Sequence, residues 1–363
     1  MRLNALKPQI KLSTPIIMKK GIIFLFIVFS LYSCKNKSDD ILSLFNDKYK
    51  EIHQIQSIPC DSFIISQDGD MLLSGDRIVM LDPNSQFHFI LFDKKNARFI
   101  KRFVPKGNGP EEFLYIKNFQ VKDDSTLLLF EPFKKKMTEY TFNNDKNTEY
   151  DYSLKAVEWT EADPLYAIKT ENYFVLTNCQ EEGFFSLCDK NGKKIGAFFS
   201  YPAKNAQESS YDNVYKAFAY QGGVLSRPQS DQFVYFSYNA PIVQFYHAKN
   251  DSIVKIKEHL FRYVDYKIDG ETSAMNAQAP FGFLTGYATR RYVYLPYSGK
   301  STKEKGSSAS TGEKILVFDW EGNPVSCIQL DIPIRGICVD ENDKQMWAIG
   351  FDPDPVLITF SLE

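Results

Sequence analysis

One pattern governs the chain after residue 50: a short apolar run, a polar turn, and a second apolar run. Phe89–Asp93 leads through Lys94-Lys95-Asn96 to Arg98–Ile100, and Phe184–Asp189 leads through Asn191-Gly192 to Lys194-Ile195. Ile315–Asp319 leads through Glu321-Gly322 to Val325, with looser copies at Met137–Phe142 and Val243–Tyr246. Asn-Gly and Glu-Gly between strand-like runs supply the positive φ that a tight hairpin needs. Helical periodicity is hard to find over the same stretch. Such a chain is read as all-β.

Each copy has a strand-like partner upstream: Ile78–Leu81, Thr126–Phe130, Tyr173–Leu176, Phe233–Ser237, Tyr292–Leu295 and Gln345–Ile349. Ahead of these lie further apolar runs at Phe63–Ser66, Ile116–Val121, Ala167–Thr170, Gly223–Ser226, Gly282–Thr285 and Gly336–Val339. Three or four strands in each of six units, about 55 residues per unit, fit a six-bladed β-propeller of four-stranded antiparallel blades. A β-sandwich, or two stacked β-domains, is the competing architecture. Six comparable units across 49–363 favour the propeller. The last unit, Gly336–Leu362, is one strand short, and Glu51–Ile58 is placed to supply it, so the ring is expected to close with both chain ends. The polar insertion Ser298–Glu313 reads as a mobile hairpin loop.

The first forty residues have a different logic. Met18-Lys19-Lys20 is followed by the uncharged run Gly21–Tyr32 and then by Ser33-Cys34. A basic end, a short apolar centre and a small residue at the cut make a secretory signal peptide. Twelve residues give about 18 Å of helix at ~1.5 Å each, short of a ~30 Å hydrocarbon core. Leu31-Tyr32-Ser33-Cys34 resembles the bacterial lipobox, whose cysteine is acylated after cleavage. The expected organisation is therefore a signal peptide at 1–33 (with translation starting at Met18), a lipidated tether at 34–48, and the propeller at 49–363. Acyl chains on Cys34 would hold the protein on a membrane, and the outer membrane of a cell envelope is the expected place.

Composition narrows the partners. Without the first 33 residues, which hold five basic side chains and no acid, 38 Lys and Arg face 45 Asp and Glu, a net charge of −7. That argues against nucleic acid, which needs a basic footprint. Tyr and Phe number 51 together, and aromatic side chains favour pleated sheet. Beyond Cys34 the cysteines are Cys60, Cys179, Cys188, Cys327 and Cys338, an odd and scattered set unlike a disulfide framework. A bridge between Cys179 and Cys188 across a hairpin stays open. With four histidines and no CxxC, no zinc site is expected, and no cofactor.

Lys106-Gly107-Asn108-Gly109-Pro110-Glu111-Glu112-Phe113 is similar to the Gly-x-Gly-Pro-x-Glu-Phe motif of TolB-like six-bladed propeller lipoproteins of Bacteroidetes. With the lipobox, this resemblance covers residues 34–363 and implies a six-bladed propeller on a cell envelope. Read from the residues themselves, the glycines allow positive φ or close backbone approach, Pro110 stiffens the turn and Phe113 begins the next strand. The segment joins two units at a mouth of the channel, where loops converge.

Hydrolase signatures such as Gly-x-Ser-x-Gly and His-Glu-x-x-His are missing. The adjacent pairs Asp123-Asp124, Glu111-Glu112 and Glu181-Glu182 read as turns, as does Asp68-Gly69-Asp70. Asp352-Pro353-Asp354-Pro355 reads as a rigid hairpin connection. The expected function is binding or scaffolding of a protein, peptide or glycan, with Lys106, Asn108 and Glu111 as candidate ligand contacts. The alternative is an envelope enzyme for a carbohydrate or lactone, with a divalent cation in the channel.

Overall fold

The computed structural model describes residues 40–58, 69–82, 85–142, 152–159, 164–179, 182–351 and 354–363. The signal segment, Cys34, Cys60 and the run Phe63–Ser66 lie outside them.

The described chain enters through β1 (Tyr49–Ile52) and β2 (Gln54–Ile58). Blade 1 follows as β3 (Met71–Ser74), β4 (Arg77–Leu81), β5 (Phe87–Asp93) and β6 (Phe99–Pro105). Blade 2 is β7 (Asn118–Asp123), β8 (Thr126–Glu131), β9 (Lys136–Phe142) and β10 (Tyr152–Glu158). Blade 3 is β11 (Pro164–Lys169), β12 (Phe174–Asn178), β13 (Phe185–Cys188) and β14 (Lys194–Phe198). Two short helices, α1 (Ala206–Ser209) and α2 (Asn213–Ala219), precede blade 4. That blade is β15 (Gly222–Ser226), β16 (Gln232–Ser237), β17 (Ile242–Lys249) and β18 (Ser252–Leu260). A separate hairpin, β19 (Tyr266–Asp269) and β20 (Thr272–Met275), lies before blade 5, and Ser273 ties it to α2 by donating to the Tyr215 carbonyl at 2.8 Å.

Blades 5 and 6 share a strand. Blade 5 is β21 (Tyr287–Ala288), β22 (Tyr292–Tyr297), β23 (Gly312–Asp319) and the first half of β24 (Pro324–Val339), with the helical turn α3 (Thr302–Lys305) between β22 and β23. The second half of β24 is the inner strand of blade 6, followed by β25 (Gln345–Phe351), β26 (Pro355–Ser361) and, from the other end of the chain, β2. β1 runs parallel to β24 on the outside of blade 5, Tyr49 opposite Cys327 and Ile52 opposite Leu330. The expected closure by Glu51–Ile58 is thus divided between two blades, and Asp331 marks the step by accepting the Gln54 amide at 3.2 Å. The inner strands β3, β7, β11, β15, β21 and β24 touch in that order, and β24 returns to β3, closing the ring.

The ring follows from residue pattern. Successive strand residues point to opposite faces, and the second strand of each blade is apolar on both: β8 is buried at all six positions. Leu127 and Leu129 pack with Phe89 and Phe103 of blade 1, while Leu128 and Phe130 pack with Phe174 and Leu176 of blade 3. The pattern repeats at every junction. Blades 3 and 4 meet around Phe185, Phe233 and Tyr246, blades 4 and 5 around Phe236, Phe245 and Phe318. Blades 5 and 6 meet around Val317, Ile337 and Ile358, and blades 6 and 1 around Trp347, Ile90 and Phe92. The aromatic wealth of the sequence fills these wedges with edge-to-face pairs such as Phe185 and Phe233, 5.4 Å apart.

Three expectations need correction, and one open question is answered. Residues 41–48, assigned to the tether, belong to the fold. Asp40 caps a short 3-10 helix (Ile41–Phe45) by accepting the Leu42 amide at 2.9 Å, and Ile41 and Phe45 are both fully buried between blades 4 and 5. Ser298–Glu313 is tied down: Lys303 donates its amide to Ala277, Phe281 donates to Lys300, and Ala309 and Ser301 are buried. Cys188 sits opposite Phe174 while Cys179 lies beyond the other end of β12, so both are free thiols. The inner strand of blade 1 is Met71–Ser74, and that of blade 5 forms five residues later than Gly282, whose amide is taken by the Tyr238 carbonyl.

Candidate functional site

The inner strands all run one way, so the channel has a mouth where they start and a mouth where they end. The starting mouth holds the blade 1 to blade 2 crossover. There Lys106 bridges to Phe113, the Gly107 amide donates to the Phe113 carbonyl at 3.1 Å, and the Phe113 amide donates to Pro105 at 3.0 Å. Glu112 folds back so that its Oε2 accepts the Gly109 amide at 2.8 Å. A Cβ on Gly107 would lie 2.0 Å from that oxygen, and one on Gly109 would lie 3.1 Å away. The glycines are therefore required by the carboxylate that fills their place. Phe113 is buried between blades 1 and 2, ahead of the strand it was expected to begin. The motif is a structural knot.

That knot fixes His88. The buried His88 Nε2 lies 2.7 Å from the Phe113 carbonyl, which can only accept, so Nε2 carries the proton. Burial pushes the imidazole below its ordinary pKa, against the pull of the Phe113 carbonyl, and Lys106 adds to the depression. His88 is held neutral.

Beside the knot opens a cavity of about 560 Å³. Its lining gathers residues at the starts of inner strands from several blades: Asp70, Lys117, Tyr166 and Arg335. Lys106, Tyr115 and Tyr238 line it from loops, and Phe281, Phe283 and Ser310 form a wall from the blade 5 insertions. Lys106 Nζ donates to the carbonyls of Asp82 at 3.0 Å and Ser85 at 2.9 Å. Lys117 Nζ stands 4.8 Å from the centre of the Tyr166 ring, a cation–π distance. Burial lowers the pKa of Lys117, which Asp70 partly offsets, and burial also lowers that of Lys106. The Tyr166 and Tyr238 hydroxyls hydrogen-bond each other, and burial raises both phenols, keeping them neutral. Asp70 accepts from the Thr285 hydroxyl at 3.2 Å.

Of the three residues expected to touch a ligand, Lys106 lines the cavity. Asn108 is exposed at the tip of the crossover, and Glu111 accepts the Tyr152 hydroxyl at 2.7 Å; neither is part of the lining. Lys117, Tyr166, Tyr238 and Arg335 were not singled out from sequence. Asp70, Lys117 and Arg335 hold near-equivalent starting positions on the observed inner strands, a match that reading Phe63–Ser66 as the first inner strand conceals. Among the described residues no group of three or more His, Cys, Asp or Glu side chains is placed to hold a metal ion. Three cationic side chains against one carboxylate also make this mouth a poor electrostatic seat for a divalent cation.

In fold, the chain is similar to a Bacteroides fragilis protein described as exported, with 13% identity, 85% of this chain and 93% of that one covered, and a TM-score of 0.49. A member of the DUF4221 family from Bacteroides vulgatus gives 9% identity, coverage of 85% and 96%, and a TM-score of 0.49. The β-propeller domain of Cps50 (Swd1) from Myceliophteria thermophila gives 8% identity, coverage of 81% and 82%, and a TM-score of 0.44. No curated protein matches the sequence. Residues 47–342 match the family described as TolB-like 6-blade propeller-like, and the chain belongs to that family.

Proposed function

We propose that the protein is an exported, lipid-anchored binding protein of the cell envelope that seats its ligand in the cavity at the starting mouth of the channel. The observation that carries this reading is the cavity itself: about 560 Å³, with aromatic walls and convergent polar groups, at the point where several blades meet. Recesses of that size and mixture are where proteins hold small molecules or chain ends. The anchor rests on Leu31–Cys34 and the preceding apolar run, and the outer membrane is the proposed site. Acylation at Cys34 would leave the propeller facing the aqueous phase, free to receive a peptide, protein or glycan.

Two variants test the two halves. Cys34→Ala should move the protein from the detergent phase to the aqueous phase with its melting temperature unchanged. A variant that stays in the detergent phase, or a wild type without acyl chains by mass spectrometry, rejects the anchor. Leu284→Trp, placed on the cavity lining, should abolish ligand binding, while Asn108→Ala at the exposed crossover tip should leave it intact. Equal binding by both rejects the cavity as the seat.

A further inference from the structure

The charge of the cavity says more than its shape, on the reading that the cavity is the ligand seat. Elsewhere in the described protein, several cations meet buried acids directly. Arg102 meets Asp82 at 2.8 Å, Lys134 and Lys136 meet Glu131 at 3.2 Å, and Arg291 meets Asp343 at 2.8 Å. Lys117 and Arg335 are different. Both line the cavity and both are partly buried, yet neither side chain makes a hydrogen bond or ion pair among the described residues. Lys106 adds a third positive charge at the rim, held by two carbonyls. The one carboxylate in the lining, Asp70, accepts from Thr285 and only partly offsets Lys117, and His88 is neutral, so positive charge is in excess.

Holding a cation half out of water costs stability unless a counter-charge balances it. The fold keeps Lys117 and Arg335 without such a partner on the lining of a cavity at the channel mouth. Guanidinium and ammonium groups together recognise oxyanions: the first by a planar fork of N–H donors, the second as a point charge. The exposed ring of Tyr115 flanks them with a flat apolar face, on which the body of a sugar-sized ligand can stack.

We propose that this cavity is a receptor for an oxyanion, a carboxylate or phosphate carried on a sugar-sized body, bound by Lys117 and Arg335 with Lys106 at the rim. Binding is then strongest at low ionic strength.

The test is thermal unfolding of the full chain in detergent at constant ionic strength, with four probes: inorganic phosphate, glucuronic acid, glucose 6-phosphate and glucose. The oxyanion probes should raise the melting temperature and glucose should not; the ranking of glucuronic acid against glucose 6-phosphate separates carboxylate from phosphate. The Lys117→Met/Arg335→Met variant should lose at least tenfold in affinity for the oxyanions, and without ligand it should melt above the wild type. Glucose matching glucuronic acid in wild type and double variant, with both lost in Leu284→Trp, overturns the oxyanion proposal and leaves the seat in place. No shift from any probe, with a double variant that melts below the wild type, overturns the proposal too. Shifts that persist in Leu284→Trp sink the seat itself.

Discussion

Where the inner strands end, acids of one blade close on the hydroxyls of its neighbour; where they start, three cations and a single carboxylate face a cavity. At the ending mouth Asp231 of blade 4 accepts from Thr170 Oγ1 at 2.8 Å, and from the Asn172 amide and side chain at 2.7 Å each. Asp343 of blade 6 repeats the device on blade 5, accepting from Thr289 at 2.7 Å, Tyr294 at 3.0 Å and Arg291 at 2.8 Å. Ser74 of blade 1 donates to the Asp124 carbonyl of blade 2 at 3.1 Å. Along the wall between them, amides stand in for strand pairing: Asn118 Nδ2 donates to the Ala167 carbonyl at 2.6 Å, and Gln120 Oε1 accepts the Lys169 amide at 2.8 Å. Satisfied groups of this kind fix blade against blade. The starting mouth has its own fixed point, the Glu112 knot, but leaves Lys117 and Arg335 on the cavity lining without an ion pair among the described residues. One end of the ring holds its geometry; the other is equipped to receive something.

The largest effect should come from cutting what both ends share. Deleting residues 49–58 removes β1 and β2, opening blades 5 and 6 together, and should cost on the order of 5 kcal/mol, a large part of a protein's whole stability. An unchanged urea midpoint would show that the ring does not depend on this seam. Next, Asp343→Ala should cost about 3 kcal/mol, because it strands the two buried hydroxyls of Thr289 and Tyr294. Asp231→Ala, at a partly exposed clasp, should cost about 1 kcal/mol. If the two clasp variants are equal, burial is not what separates them.

The smallest effect belongs to the starting mouth and to pH. The folded state depresses the His88 pKa, so below about 6.5 the unfolded chain binds more protons than the folded one. Stability is then complete above that pH and declines as pH falls through it. Lys106 and Glu131 act on this imidazole in opposite directions. His88→Gln keeps a donor for the Phe113 carbonyl and should flatten the decline, measured by urea unfolding between pH 7.5 and pH 5. A variant as acid-sensitive as the wild type would place the titration elsewhere.

The fold was largely legible because its signal is local. Second strands were placed almost to the residue, Thr126–Phe130 against the observed Thr126–Glu131, since each carries apolar residues on both faces. Turns were equally plain: Asp93, Asp189 and Asp319 each accept amides two to four residues ahead. The clasps were invisible because Thr170 and Asp231 are 61 residues apart and Thr289 and Asp343 are 54 apart, with no local pattern joining them. The cavity failed for the same reason, except at Lys106, which lies next to a recognisable motif. The polar composition of Ser298–Glu313 read as mobility, although Ala309 is fully buried and its backbone is anchored by the 277–281 segment.

The shared strand β24 sets an order of events. The Lys48 carbonyl accepts from Ser326 Oγ, 278 residues away, and β1 and β2 find their partners only in β24 and β26. A chain delivered N-terminus first exposes those two strands before either partner has arrived, while blades 1 to 4 can form from contiguous sequence. Long-range pairing of this kind is slow and leaves edges open to other chains. The opening segment of this propeller is therefore the last to find its place, and the interval before it does is when the protein most needs a guardian.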